Sequence, residues 1–121
     1  MDYESAITIE SARPGVNIRV ARMSFGRRLE LMRKVRDLAR EVEFREAGGS
    51  PGDGMDAALL RAEIDRMLVR WGIVGVSGLQ VDGAEATVEA LITSGPEDVF
   101  REALAAVRHQ AGLTAEERKN S

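Results

Sequence analysis

Apolar and polar residues alternate along the first twenty positions. Ile7 and Ile9 alternate with Thr8 and Glu10, and Val16, Ile18 and Val20 alternate with Asn17, Arg19 and Ala21. A period of two predicts two half-buried strands, over 4–10 and 16–22, joined as a β-hairpin. The intervening Ser11-Ala12-Arg13-Pro14-Gly15 has turn chemistry, with Pro14 fixing φ and Gly15 free to take a positive one. After Ser24, a good N-cap, the period lengthens. Phe25, Leu29, Met32, Val35 or Arg36, Ala39 and Val42 recur at three- and four-residue steps. They predict one apolar stripe on a long helix, with charged residues on its other faces. Glu30 precedes Lys34 and Glu41 precedes Arg45 in the favourable i,i+4 order.

The Gly- and Pro-rich stretch 47–54 reads as the mobile joint of a helical hairpin. A second helix follows from about Asp56 to Trp71, with Leu60, Ile64, Met67, Leu68 and Trp71 on one face. Its stripe is expected to bury against that of the first helix, with Trp71 as a core anchor. The β-branched run 73–81 predicts a short strand joining the N-terminal hairpin, closed by a turn at Asp82-Gly83. Thr87 is positioned to cap a short helix. Ser94-Gly95-Pro96-Glu97 reads as a capping box for the next, whose apolar stripe is Phe100, Ala103, Leu104, Val107 and Ala111. Gly112 is a plausible stop, and Thr114 to Glu117 a further capping box.

These elements predict an α+β fold, mainly helical, with a small antiparallel sheet built on the N-terminal hairpin and packed on a helical hairpin and two C-terminal helices. At 121 residues the expectation is one domain. It would divide into the β-hairpin (1–23), the helical hairpin (24–72) and a short strand with C-terminal helices and a frayed tail (73–121).

Composition mostly removes options. There is no Cys, so no disulfide framework, thiolate metal site or Cys nucleophile. The one His, His109, removes multi-His metal sites and reads as a surface or boundary residue. The longest nearly uncharged run, Trp71 to Val81, is about half of what a membrane span needs. The opening Met1-Asp2-Tyr3-Glu4-Ser5 is acidic and leads into no apolar signal region, so the expected compartment is the cytoplasm. Net charge is −3, which gives no bulk attraction to nucleic acid. Its distribution is uneven: residues 1–46 hold ten Lys/Arg against eight Asp/Glu, and the acidic excess lies beyond them. On the first helix the arginines are interleaved with acids, unlike the uninterrupted basic stripe of a nucleic-acid reader.

Enzyme motifs do not emerge. Gly72, Gly75 and Gly78 follow a helix instead of a strand, so they do not form a dinucleotide loop; glycines permitting close backbone approach is the better reading. The 48–54 loop lacks the Lys-Ser/Thr ending of a phosphate-binding loop. The acid pairs Asp37/Glu41 and Glu116/Glu117 read as solvated charge. No nucleophile–base–orienter set is visible, and no catalytic residue, cofactor or metal is expected.

The order of signals resembles the small tail assembly chaperones of long-tailed bacteriophages and prophages. The resembling features are the strand pair leading into Arg22-Met23-Ser24-Phe25-Gly26-Arg27-Arg28-Leu29-Glu30-Leu31, the long charged helix, and a second helix ending in Trp71-Gly72. Gly78 to Gly83, Gly95-Pro96-Glu97 and the ending Gly112 to Ser121 complete the pattern. The resemblance implies a non-enzymatic helper that binds the tape measure protein and keeps it from aggregating until major tail protein polymerises around it. It carries over no active residues. From the residues themselves, the expected partner-binding surface is Phe25, Arg28, Met32, Arg36 and Phe44 of helix one, with Trp71 beneath. Self-association is a further expectation from the opposite charges of the two halves. The competing readings are a structural head–tail or tail-completion protein and a small DNA-binding regulator.

Overall fold

A computed structural model describes residues 1–47 and 51–112. In chain order the elements are strands β1 (Ala6–Glu10) and β2 (Asn17–Ala21), helices α1 (Phe25–Ala47) and α2 (Pro51–Gly72), strands β3 (Ile73–Ser77), β4 (Gln80–Val81) and β5 (Ala84–Glu85), and helices α3 (Val88–Ser94) and α4 (Glu97–Ala111). The fold is α+β and mainly helical. Its contacts divide it into two compact units. The first is made of 1–23 with the chain from Leu68 onward, and the second is 24–67.

In the first unit, β1, β2 and β3 form an antiparallel sheet in that order. The expected hairpin forms, with Ile7 opposite Val20 and Ile9 opposite Ile18. The alternation therefore puts Ile7, Ile9, Ile18 and Val20 on one face, and Ile18 and Val20 are fully buried there. Strand β3 joins β2 through Ile18 opposite Val76 and Val20 opposite Ile73, with a register irregularity at Arg19/Val20. That shift brings both Ile73 and Val76 into the core. Helix α4 packs on β2 and α3 on β3. From the helices come buried Leu91, Val99, Ala103, Leu104, Val107 and Ala111, with Leu68 and Val69 from the end of α2.

Glycine is required at two close approaches. A Cβ on Gly72 would lie 2.7 Å from the Val107 methyls. Gly78 has φ +77, and a Cβ there would lie 1.9 Å from the Gly15 carbonyl oxygen. The Gly72–Gly78 run thus serves packing, and it passes from helix to strand, the reverse of a phosphate-cradling turn. Strands β4 and β5 pair as a two-residue hairpin that the apolar pattern did not suggest. Asp82 (φ 53) and Gly83 (φ 84) make its turn, both left-handed as a type I′ turn demands.

The helix ends follow the expected chemistry at three points and depart at two. Ser24 Oγ accepts from Arg27 N at 3.2 Å. Thr87 accepts from Ala90 N at 3.1 Å. Gly112 is left-handed and closes α4 with its N–H on Arg108 and His109 carbonyls. The Ser94–Glu97 capping box does not form. Ser94 is still helical at the end of α3, and Pro96, which has no side-chain acceptor, precedes α4. Glu97 pairs forward with Arg101 instead. Helix α2 begins at Pro51, earlier than the glycine content of 47–54 suggested; proline suits a first helical turn because its missing N–H has no partner there anyway. The rest of that joint, 48–50, and the expected capping box at Thr114 lie outside the described residues.

The second unit corrects the expected stripe of α1. Leu31 and Val42 are the buried residues, with Val35 and Leu38 half-buried between them at steps of four, three and four. Phe25, Leu29 and Met32 are exposed. At 100° per residue, the line through Phe25, Leu29 and Met32 lies about a third of a turn from Leu31. Helix α1 carries two apolar stripes, and the three- and four-residue steps had merged them into one. On α2, Ala57 is buried and Leu60, Ile64 and Met67 half-buried, which matches the expected face.

Candidate interaction surface

Large exposed apolar side chains are unevenly shared. Within the second unit these are Phe25 (80% exposed), Leu29, Met32, Phe44 (79%), Met55 and Leu59; in the first they are Met1, Tyr3 and Val74. Among the described residues, six of the nine large exposed apolar side chains therefore belong to the two long helices. Single exposed apolar residues are ordinary on proteins, and a run of them along one helix face is a candidate contact surface.

The run on α1 is Phe25, Leu29 and Met32, spaced by four and three. Arg36 extends the same line four residues further, and Arg28 flanks it. Both arginines are exposed, with Arg36 beside Asp37 at 3.3 Å. The line is therefore an apolar ridge that ends in, and is edged by, guanidinium groups. Phe44 is equally exposed but sits about a quarter-turn around the helix from Phe25. Trp71 lies in the last turn of α2, within the first unit, and is half-buried. The arrangement thus groups Phe25, Arg28, Met32 and Arg36, and sets Phe44 apart on the same helix. Leu29 belongs with the ridge although the sequence pattern had assigned it to the core. On α2, Met55 and Leu59 are exposed one turn apart, and the expected surface omitted them. The signal that finds them is the second line of apolar residues beside the one through Ala57, Leu60 and Ile64.

In the first unit, a groove of about 420 Å³ runs between β1 and α4, lined by Ile7, Ile9, Val20, Ala105, Ala106 and His109. At one end the β1–β2 turn is fastened to α4. Ser11 Oγ donates to Glu102 Oε1 at 2.6 Å and Ala12 N to Glu102 Oε2 at 2.8 Å. Arg13 donates twice to Asp98, at 2.7 and 3.0 Å. The Arg13 hydrogen bond and charge hold the Asp98 carboxyl below its ordinary range and raise Arg13 above its own. These groups are exposed, so the shift reports a structural pair and not a catalytic acid. Among the described residues no three His, Asp or Glu side chains converge as a metal site. No helix of the described chain is long and apolar enough to cross a membrane.

Comparison with protein-family models, with curated proteins and with solved structures finds no match to this chain.

Proposed function

We propose that the chain is a binding helper of the phage tail assembly chaperone kind, acting in the bacterial cytoplasm on the tape measure protein. The observation that carries this reading is the exposed ridge of Phe25, Leu29 and Met32, edged by Arg28 and Arg36. An amphipathic helix with an apolar face and acidic flanks complements such a ridge. Its leucine-like residues would cover the ridge, and its carboxylates would meet the two guanidinium groups. A tape measure protein, a long helical rod with apolar faces awaiting their tube, presents many such segments. The methionine in the ridge suits a binder that must accept varied sequences, because its thioether chain adapts its shape. The ordered resemblance to tail assembly chaperones supplies the partner, and the exposed ridge supplies the means.

The test is co-expression of the full chain with the tape measure protein encoded beside it. The complex should co-purify, and Phe25→Asp with Met32→Asp should weaken it at least about tenfold, since each buries a charge in an apolar contact. Arg28→Glu with Arg36→Glu should weaken it further as salt is lowered. Complex formation indifferent to both pairs rejects the ridge as the binding face. Recovery of the chain in purified particles would point instead to a structural tail component.

A further inference from the structure

The exposed ridge of α1 keeps a regular repeat. Phe25, Leu29, Met32, Arg36 and Ala39 follow one another at steps of four, three, four and three. That is the seam of a two-stranded coiled coil, with Leu29 and Arg36 at heptad position a and Phe25, Met32 and Ala39 at d. The first four are exposed and Ala39 is half-buried. Glu43 takes the next a position and closes the seam, which is about 22 Å long. The core stripe of Leu31, Val35, Leu38 and Val42 falls at c and g. The core of the unit therefore uses one flank of the seam and leaves the other, the e flank, in solvent.

The e positions are Arg33 and Arg40, seven residues apart. Both are exposed, and neither has a hydrogen bond or ion pair among the described residues. The g position outside the core stripe is Arg28. Residues 25–40 hold six Lys/Arg against two Asp/Glu, and those two acids, Glu30 and Asp37, lie at b, off the seam and its flanks. Resting on the reading of the ridge as the client-binding face, we propose that it is one half of a two-stranded coiled coil. The other half is a helix of a different protein that carries carboxylates one heptad apart beside its apolar seam.

Charge decides the occupant. A second copy of α1 is opposed in either direction. In a parallel pair e faces g of the other helix, which sets Arg33 against Arg28; in an antiparallel pair e faces e, which sets arginine against arginine. Carboxylates on the arriving helix turn the same positions into guanidinium–carboxylate pairs, from its g positions in parallel docking and its e positions in antiparallel docking. No internal bond has to break for Arg33 or Arg40 to pair. Arg36, beside Asp37 at 3.3 Å, is a polar residue at an a position, which lowers affinity and fixes register. Because α1 is already folded within its unit, the ordering entropy falls on the client alone. Two heptads of seam then give a dissociation constant of about 10–100 µM.

The probe is a fluorescein-labelled peptide of three heptads, with Leu at a and d and Glu at e and g, titrated with the full chain by anisotropy. Its own glutamates keep it from pairing with itself. It should bind, and the same peptide with Lys at e and g should bind at least about tenfold more weakly, with the gap narrowing as salt rises. Arg33→Glu with Arg40→Glu should invert the preference and leave the circular dichroism spectrum unchanged, since neither side chain has an internal partner. Leu29→Asp with Met32→Asp should abolish binding of both peptides. Equal affinity for the two peptides overturns the proposal, as does a preference that survives the Arg33 and Arg40 exchange. So does a dimer in sedimentation velocity that Leu29→Asp disperses. Failure to bind the Glu peptide overturns it too, even if phosphatidylserine vesicles are captured through the same arginines. Peptide discrimination without a tape measure complex rejects the proposed client and keeps the acidic helix. A tape measure complex lost in Phe25→Asp with Met32→Asp but indifferent to the Arg33 and Arg40 exchange does the reverse.

Discussion

Arg13 in the turn of the β1–β2 hairpin and Asp98 in the first turn of α4 are 85 residues apart and form a two-bond ion pair. The planar guanidinium meets both carboxylate oxygens, which fixes direction as well as distance. Asp98 also sits where an anion suits the start of a helix. With Glu102 holding Ser11 and Ala12, the pair sets where α4 lies along the hairpin.

The pair gives a pH signature. The folded pKa of Asp98 lies below its unfolded value, so its contribution is fully present above the ordinary carboxylate range. It is lost as pH falls below about 4 and Asp98 protonates on the folded chain. Asp98→Asn should therefore lower the melting temperature slightly at pH 7, and the difference from wild type should shrink as thermal melts are repeated toward pH 2–3.

Gly78→Ala should be among the most damaging single-methyl additions. It forces a side chain into a left-handed backbone and against the Gly15 carbonyl. A loss of about 2–4 kcal/mol in urea unfolding is expected. Gly75→Ala, where nothing lies within 4 Å, should change stability by less than about 1 kcal/mol.

Leu29 and Leu31 are two positions apart and differ in burial, 39% against 4% exposed. Leu31→Ala should cost about 2–3 kcal/mol or measurably lower helicity, while Leu29→Ala should cost less than about 1 kcal/mol. Equal effects by thermal circular dichroism would place the two stripes of α1 wrongly.

Thr87→Ala removes the acceptor for Ala90 N. It should destabilise by about 1 kcal/mol, with faster amide exchange confined to the first turn of α3 as seen by hydrogen-exchange mass spectrometry.

The sheet was legible because a period of two is unambiguous when β-branched residues keep it, as in Ile7/Ile9 and Ile18/Val20. The caps at Ser24, Thr87 and Gly112 were legible because each satisfies its helix end with local chemistry. The Ser94–Glu97 motif misled because Gly95 ends one helix just before another begins, and a side chain cannot be both in α3 and a cap for α4. The phase of α1 was hidden for a different reason. Apolar residues lie on two of its faces, and spacing by three and four does not say which one is buried. Phe25, Arg28, Met32 and Arg36 were named on the assumption that the ridge and the core stripe were the same. The ridge instead stands in solvent, and Leu29 joins it. The fastening of Arg13 to Asp98 had no local signal, because nothing in either segment names the other.

The chain leaves the sheet at the end of β2 and re-enters it at Ile73, in the strand beside the one it left. Topologically, residues 24–67 are an insertion in the connection between two neighbouring antiparallel strands. The cost of closing such a connection rises only slowly with its length. The helical stretch 24–67 can therefore lengthen, shorten or change sequence without altering the register of β2 and β3, provided Leu68, Val69 and Gly72 stay in place. Residues 24–67 are therefore a replaceable cassette, and an engineered chain with a short linker from Met23 to Leu68 should keep the same three-stranded sheet.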